Sequence, residues 1–178
     1  MLKNIIRLFY RLYKLSLSDK QLLNAQKKMG LQVGSDCRIY SFNFGSEPYL
    51  IQIGNHTTIS SNVQFVTHDG GVWIFRENEI DIELVAPIKI GSNVFIGTGS
   101  IILPNTIIED NVIVGAGSIV KGTLESGYIY AGVIAKKIKT IEEYRTSIDK
   151  HLNKTKTKSY RSKKEFYEKK FINSHSST

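Results

Sequence analysis

Of the four histidines in the 178-residue sequence, His68 has the setting for chemistry on a ligand. It lies in VTHDGGVWIFRENEIDIE, a stretch that interrupts an otherwise regular pattern. Neutral imidazole can take a proton from a hydroxyl near pH 7 and return it later in a reaction. Such a base needs a partner on its other ring nitrogen to fix tautomer and orientation. Asn43 and Glu47, in an earlier interruption reading YSFNFGSEPY, and the adjacent Asp69 are the three candidates. Trp73 and Phe75 offer either an apolar wall for a ligand or packing for the loop. Arg76 suits an anionic ligand or a pairing with Glu77 or Glu79. His56 falls inside a regular turn and reads as a surface or corner residue, while His151 and His175 lie in a basic tail with no catalytic context.

The elements that must hold these residues come from a six-residue period. Leu84, Ile90, Ile96, Ile102, Ile108, Val114 and Val120 are all aliphatic and six apart. Four positions further on stand Ile88, Val94, Ser100, Thr106, Val112 and Ser118, all small or β-branched. The frame recurs upstream at Val33, Ile39, Ile53, Ile59 and Phe65. A helix repeats near 3.6 and a lone strand near 2, so neither explains a period of six. A short strand plus a tight turn does, and three such units close a triangular coil. Stacked coils then lie about 4.8 Å apart as parallel strands, with the aliphatic column pointing inward. Asn93, Asn105 and Asn111 occupy turn positions, where asparagine accepts left-handed backbone angles. The expected fold is a mainly β, parallel β-helix solenoid over residues 31–139, with a loop insertion at about 66–83.

Charge divides the chain the same way. Residues 1–28 carry 7 basic and 1 acidic side chains, residues 29–135 carry 4 and 10, and residues 136–178 carry 13 and 5. The coil is therefore acidic, and the overall +8 comes from the ends. An acidic coil without a recognisable DNA- or RNA-binding motif argues against nucleic acid as a partner. Residues 1–30 read as a helix ending near Gly30, with Lys3, Arg7, Arg11 and Lys14 on one face. That helix either packs on protein or lies through residues 1–20 on an anionic membrane surface. Residues 140–178 read as a short helix followed by a loose or weakly helical basic tail. One cysteine, Cys37, excludes an internal disulfide and a cysteine-based zinc site, and no apolar run of membrane-spanning length occurs.

The run IKIGSNVFIGTGSIILPNTIIEDNVIVGAGSIVKG, followed by AGVIAKKIK, resembles the hexapeptide-repeat acyltransferases. The nearest group is the galactoside/maltose acetyltransferases and the capsular-polysaccharide O-acetyltransferases. The resemblance covers roughly residues 33–139. It implies a left-handed β-helix, a homotrimer and a cytoplasmic enzyme, the last either free or peripheral at the inner membrane face. It implies acetyl-CoA as donor, a sugar or polysaccharide-precursor hydroxyl as acceptor, and no metal. His68 matches the family's base. Asn43 roughly matches an asparagine that some members carry near the transfer centre. Gly97, Thr98, Gly115 and Ala116 match the small residues beside the coenzyme, and Lys121, Lys136 and Lys139 lie where basic groups meet its phosphates. Asp69, Trp73 and Arg76 are the acceptor candidates.

Two other classes use such a coil. A zinc hydratase needs three histidine ligands at close spacing, which His56 and His68, 12 residues apart, do not provide. An inert scaffold would carry a flat array of repeated threonines, and none is present. An amino-group acceptor remains the alternative to a hydroxyl.

Overall fold

A computed structural model describes residues 18–172. The chain forms two units, Met1–Glu143 and Tyr144–Thr178.

The first unit is the coil. Its strands are β1 (Gln32–Val33), β2 (Arg38–Ile39), β3 (Ile51–Ile53), β4 (Thr58–Ile59), β5 (Gln64–Phe65), β6 (Ile88–Ile90), β7 (Phe95–Ile96), β8 (Ile101–Ile102), β9 (Thr106–Ile108), β10 (Ile113–Val114), β11 (Ile119–Val120), β12 (Thr123–Leu124), β13 (Tyr128–Ala131) and β14 (Lys136–Thr140). They stack as three sheets: β1-β3-β6-β9-β12, β2-β4-β7-β10-β13-β14 and β5-β8-β11. Every pairing is parallel except β13 with β14. Ile90 pairs with Ile108, Ile96 with Val114 and Ile102 with Val120, so one coil takes 18 residues. The last coil takes 16, pairing Ile108 with Leu124 and Val114 with Tyr130. This is the parallel β-helix expected from the hexads.

The inward column is buried at Ile53, Ile59, Phe65, Ile90, Ile96, Ile102, Ile108, Val114 and Val120. Each such side chain contributes about 1.5–3 kcal/mol on leaving water, and each coil buries only against its neighbours. Leu84 is a correction. It is 49% exposed, and its carbonyl accepts the Asp69 N–H at the base of the insertion. The inward frame resumes instead with Ile88 and Ile90.

The small column is buried too, and its hydroxyls are satisfied locally, as burial requires. Thr57 donates to Gly91 O (3.0 Å), Ser100 to Gly97 O (2.8 Å), Thr106 to Leu103 O (2.6 Å) and Ser118 to Gly115 O (2.6 Å). Asn93, Asn105 and Asn111 have φ of 56°, 58° and 57°, the left-handed angles expected of them. The side chains of Asn93 and Asn111 also form a ladder along one corner. Asn93 Nδ2 donates to Asn111 Oδ1 (2.7 Å), and His56 Nδ1 lies 3.0 Å from Asn93 Oδ1. His56 is thus a corner residue.

At the N-terminal side, helix α1 spans Asp19–Lys28 within the region read as helical. Ser18 has extended angles and caps it, its side chain accepting from Gln21 N while Gln21 Oε1 accepts from Ser18 N. This capping box sets a helix start at Ser18. Gly30, with φ +97°, follows the C-cap Met29. The basic face at Lys3–Lys14 and most of the proposed membrane segment lie outside the described residues. Among the described residues, no helix is long and apolar enough to cross a membrane.

Helix α2 (Ile141–Ile148) begins where the sequence places it. The basic tail is more ordered than expected, because α3 runs over Tyr160–Phe171. Ser159 caps it, and Arg161–Glu165 and Lys164–Glu168 pair one turn apart. Within this unit Tyr167 stacks on Phe171 and its hydroxyl meets Thr155 Oγ1 at 2.7 Å.

Candidate active site

Both interruptions meet at one corner of the coil. After β5 the chain leaves the third sheet at Val66, and His68 bridges Val85 on the returning strand, which closes the insertion at its base. The earlier interruption replaces the third side of the first coil. Its Phe44 is buried and stacks on Phe65, with ring centroids 5.0 Å apart. Ser41 Oγ donates to Val63 O at 2.5 Å, and Asn43 bridges Gln64 as a parallel pair. Gly45, with φ +68°, passes so close to β5 that a Cβ there would sit 3.0 Å from Phe65 O and from Thr67 Oγ1. The turn needs glycine on both counts.

That close passage delivers Glu47 to His68. Glu47 Oε1 lies 3.6 Å from His68 Nδ1, and Glu47 Oε2 accepts from Thr67 Oγ1 at 2.6 Å. The carboxylate is 14% exposed and the imidazole 31%. The ring–carboxylate distance is within ion-pair reach and long for a hydrogen bond, as catalytic contacts often are before ligands bind. Of the three candidate partners, Glu47 is the one placed on His68 Nδ1. The Asp69 carboxylate is turned to its own backbone, accepting from Gly71 N at 2.8 Å as the cap of the Gly70–Phe75 turn. Asn43 lines, with His68, Gly45, Ser46, Gln64 and Thr67, a cleft of about 230 Å³. It shares that cleft with the imidazole, while Glu47 holds the ring nitrogen.

The insertion carries the other acceptor candidates away from this cleft. Trp73 is 71% exposed, and the Arg76 guanidinium stands 6.0 Å from its ring. Arg76 Nε and Nη2 both donate to Ile82 O (3.2 and 3.1 Å), and Nη2 lies 4.0 Å from Glu83. Arg76 therefore braces the loop, and neither Glu77 nor Glu79 is its partner.

The small-residue candidates form one column on a different corner, between the second and third sheets. Ile96 pairs with Val114, and Val114 with Tyr130, so Gly97–Thr98, Gly115–Ala116 and Ala131 follow one above the other. A Cβ on Gly97 would stand 2.4 Å from Ala116 N, and one on Gly115 would stand 2.9 Å from Ala131 Cβ. Glycine is thus required for coil stacking there, whatever binds outside. Thr98 and Ala116 are exposed. Lys136 pairs with Ala131 and extends the column, whereas Lys139 pairs with Ile129 further along β14. Lys121 directly follows β11, on the corner that also carries His68. Lys137 is not available for an anion. Its Nζ lies 2.6 Å from Glu125 Oε2 and 3.6 Å from the Tyr128 ring centre. The hydrogen bond to Glu125 holds its amino group above the ordinary lysine pKa. Among the described residues no cluster of acidic, histidine or cysteine side chains could hold a metal ion.

The coil matches, over residues 87–122, the family described as bacterial transferase hexapeptide (six repeats). Protein CapG of Staphylococcus aureus is 51% identical over 168 residues, covering 93% of this chain and 95% of CapG. The chain belongs to the hexapeptide-repeat acyltransferase family. Galactoside O-acetyltransferase of Escherichia coli is 34% identical over 106 residues, 59% of this chain, and the match spans about half of that relative (49%). Among solved structures, a galactoside acetyltransferase in complex with coenzyme A superposes with a TM-score of 0.54 at 27% identity, covering 68% of this chain and 70% of its own. The hexapeptide-repeat fold read from the sequence is thus established for this acyltransferase, and a structural relative binds the donor's coenzyme.

Proposed function

We propose that this acyltransferase moves an acetyl group from acetyl-CoA to a sugar hydroxyl, with His68 as general base and Glu47 as its positioning residue. The observation that carries the reading is Glu47 held against His68 Nδ1 by Thr67, at the mouth of an open cleft. With Nδ1–H directed at the carboxylate, Nε2 is the free acceptor. It takes the proton of the acceptor hydroxyl as the oxygen adds to the thioester carbonyl. Glu47 then faces the imidazolium and stabilises it. When the tetrahedral adduct collapses, the C–S bond breaks and the imidazolium returns the proton to the departing coenzyme A thiolate. Thr98 and Ala116 flank the pantetheine arm, and Lys136, with Lys139 of the same chain and Lys121 on the His68 corner of a neighbouring copy, meets the phosphates.

The same reading includes a homotrimer. His68 and the Gly97–Gly115 column stand on opposite corners of the third sheet, so one chain does not bring them together. The outer faces of two sheets also support assembly. Phe95, Ile113 and Ile129 line up outside one, and Ile101, Ile119 and Val133 outside the other. The outer face of the remaining sheet is largely polar, carrying Gln32, Gln52, Lys89 and Thr123. In a closed ring, His68 of one copy serves the column of the next.

The deciding assay is coenzyme A release from acetyl-CoA across a panel of sugars, comparing the native chain with His68→Ala. A sugar-dependent rate that falls at least a hundredfold in the variant is expected. Equal rates in the two proteins would overturn the assignment.

A further inference from the structure

Beside the cleft at His68 lies a second hollow of about 400 Å³, lined by Tyr40, Phe42, Asn43, Asn62 and Gln64 among others. Asn43 and Gln64 line both hollows, so the two adjoin across the first two coils, and we treat them as one groove. The groove exists because residues 40–47 replace a regular third strand in the first coil, leaving Asn43–Gln64 as an isolated bridge. Its combined size falls within the range of ligand sites, about 300–1,000 Å³.

Its chemistry is one-sided. The lining offers aromatic rings at Tyr40 and Phe42, amides at Asn43, Asn62 and Gln64, and small hydroxyls. Rings and amides suit the faces and hydroxyls of sugars. Within one chain no lysine or arginine lines either hollow, and the one charged neighbour is the Glu47 carboxylate beside His68. A diphosphate needs cations or clustered backbone donors, and it would meet a carboxylate here.

We propose that the acceptor is an extended neutral glycan, not a nucleotide-activated sugar. Its acetylated unit lies against His68, and its further units run toward Asn62 and Tyr40. This rests on the acetyl-transfer reading above and adds the substrate class. Tyr40 and Asn62 become specificity residues, supplying remote binding energy that a single sugar cannot use.

The test uses the full chain, acetyl-CoA and matched acceptors in the glucose, galactose and N-acetylglucosamine series: free sugar, UDP-sugar and neutral tetrasaccharide. In the series that reacts best, the tetrasaccharide should exceed the free sugar by about tenfold in kcat/KM, with the UDP-sugar no better than the free sugar. Tyr40→Ala, an exposed position, should collapse the tetrasaccharide-to-monosaccharide ratio by about three- to tenfold. A preference for the UDP-sugar, or an unchanged ratio in Tyr40→Ala, overturns the proposal. If no acceptor is acetylated, the acetyl-transfer reading fails. Saturation-transfer NMR with the tetrasaccharides then decides the groove by itself. Magnetisation transfer from the native chain that Tyr40→Ala abolishes supports it, and no transfer from the native chain overturns it.

Discussion

At the scale of single residues, the most informative contact is Glu47 on His68 Nδ1, because it separates two roles within one pair. His68 would touch the reacting atoms, whereas Glu47 would act through it. His68→Ala should therefore lower kcat by about 10²–10⁴-fold. Glu47→Gln keeps the shape but removes the charge that faces the imidazolium. It should lower kcat roughly tenfold or more while leaving the KM for acetyl-CoA near its native value, and Glu47→Asp should recover part of that activity. A lower kcat with intact KM marks a positioning role, and a parallel rise in both KM values would count against it. His68 is legible in the sequence because it is the histidine that breaks the hexad frame. The choice of Glu47 over Asn43 and Asp69 is not. It depends on Gly45 passing within van der Waals distance of β5 and on the Thr67 hydroxyl gripping the carboxylate, contacts between residues about 20 apart. Asp69, adjacent in sequence, is spent on its own turn.

At the scale of elements, the coil is specified twice over, by its inward column and by the corners. Gly91 tests the corners away from the candidate site. A Cβ there would lie 2.4 Å from Asp110 Oδ1 and 2.8 Å from both Asp110 N and Glu109 C, so backbone must move to admit it. Gly91→Ala should cost about 1–3 kcal/mol, read as a lower urea midpoint. Gly70, in the insertion, has nothing within 4 Å of its would-be Cβ. Gly70→Ala should stay within about 0.5 kcal/mol of the native protein. Equal costs at the two sites would mean that coil stacking is not what glycine serves. The period of six makes the sheets, the inward column and the asparagine turns legible, since each depends only on neighbours in sequence. The ends are harder. Ser18 and Gln21 form a capping box visible as a spacing of three, yet the lysine-rich helical texture around it reads as one continuous helix. The α3 segment has a low apolar content, and its order comes from the Ser159 cap, paired charges and the Tyr167 contacts rather than from periodicity.

At the scale of the whole molecule, the two halves of the proposed site lie on different corners of one coil, and this makes the assembly testable through activity. His68→Ala removes the base but leaves the Gly97–Gly115 column intact. Ala116→Trp does the reverse, since Ala116 is exposed and a large side chain there fills the column's outer surface without entering the core. Each variant alone should be nearly inactive. If each site joins His68 of one copy to the column of the next, co-expressed variants should form mixed rings in which some sites are whole. Random mixing pairs an intact base with an intact column at about a quarter of the junctions of a closed ring. The mixture should then show about a quarter of native activity, eluting by light scattering at three times the 20.1 kDa chain mass. A site built within one chain gives no such recovery, because every chain in the mixture carries one lesion. Inactive mixed rings would therefore place both halves of the chemistry on a single chain and overturn the shared-site reading, even with the trimer intact.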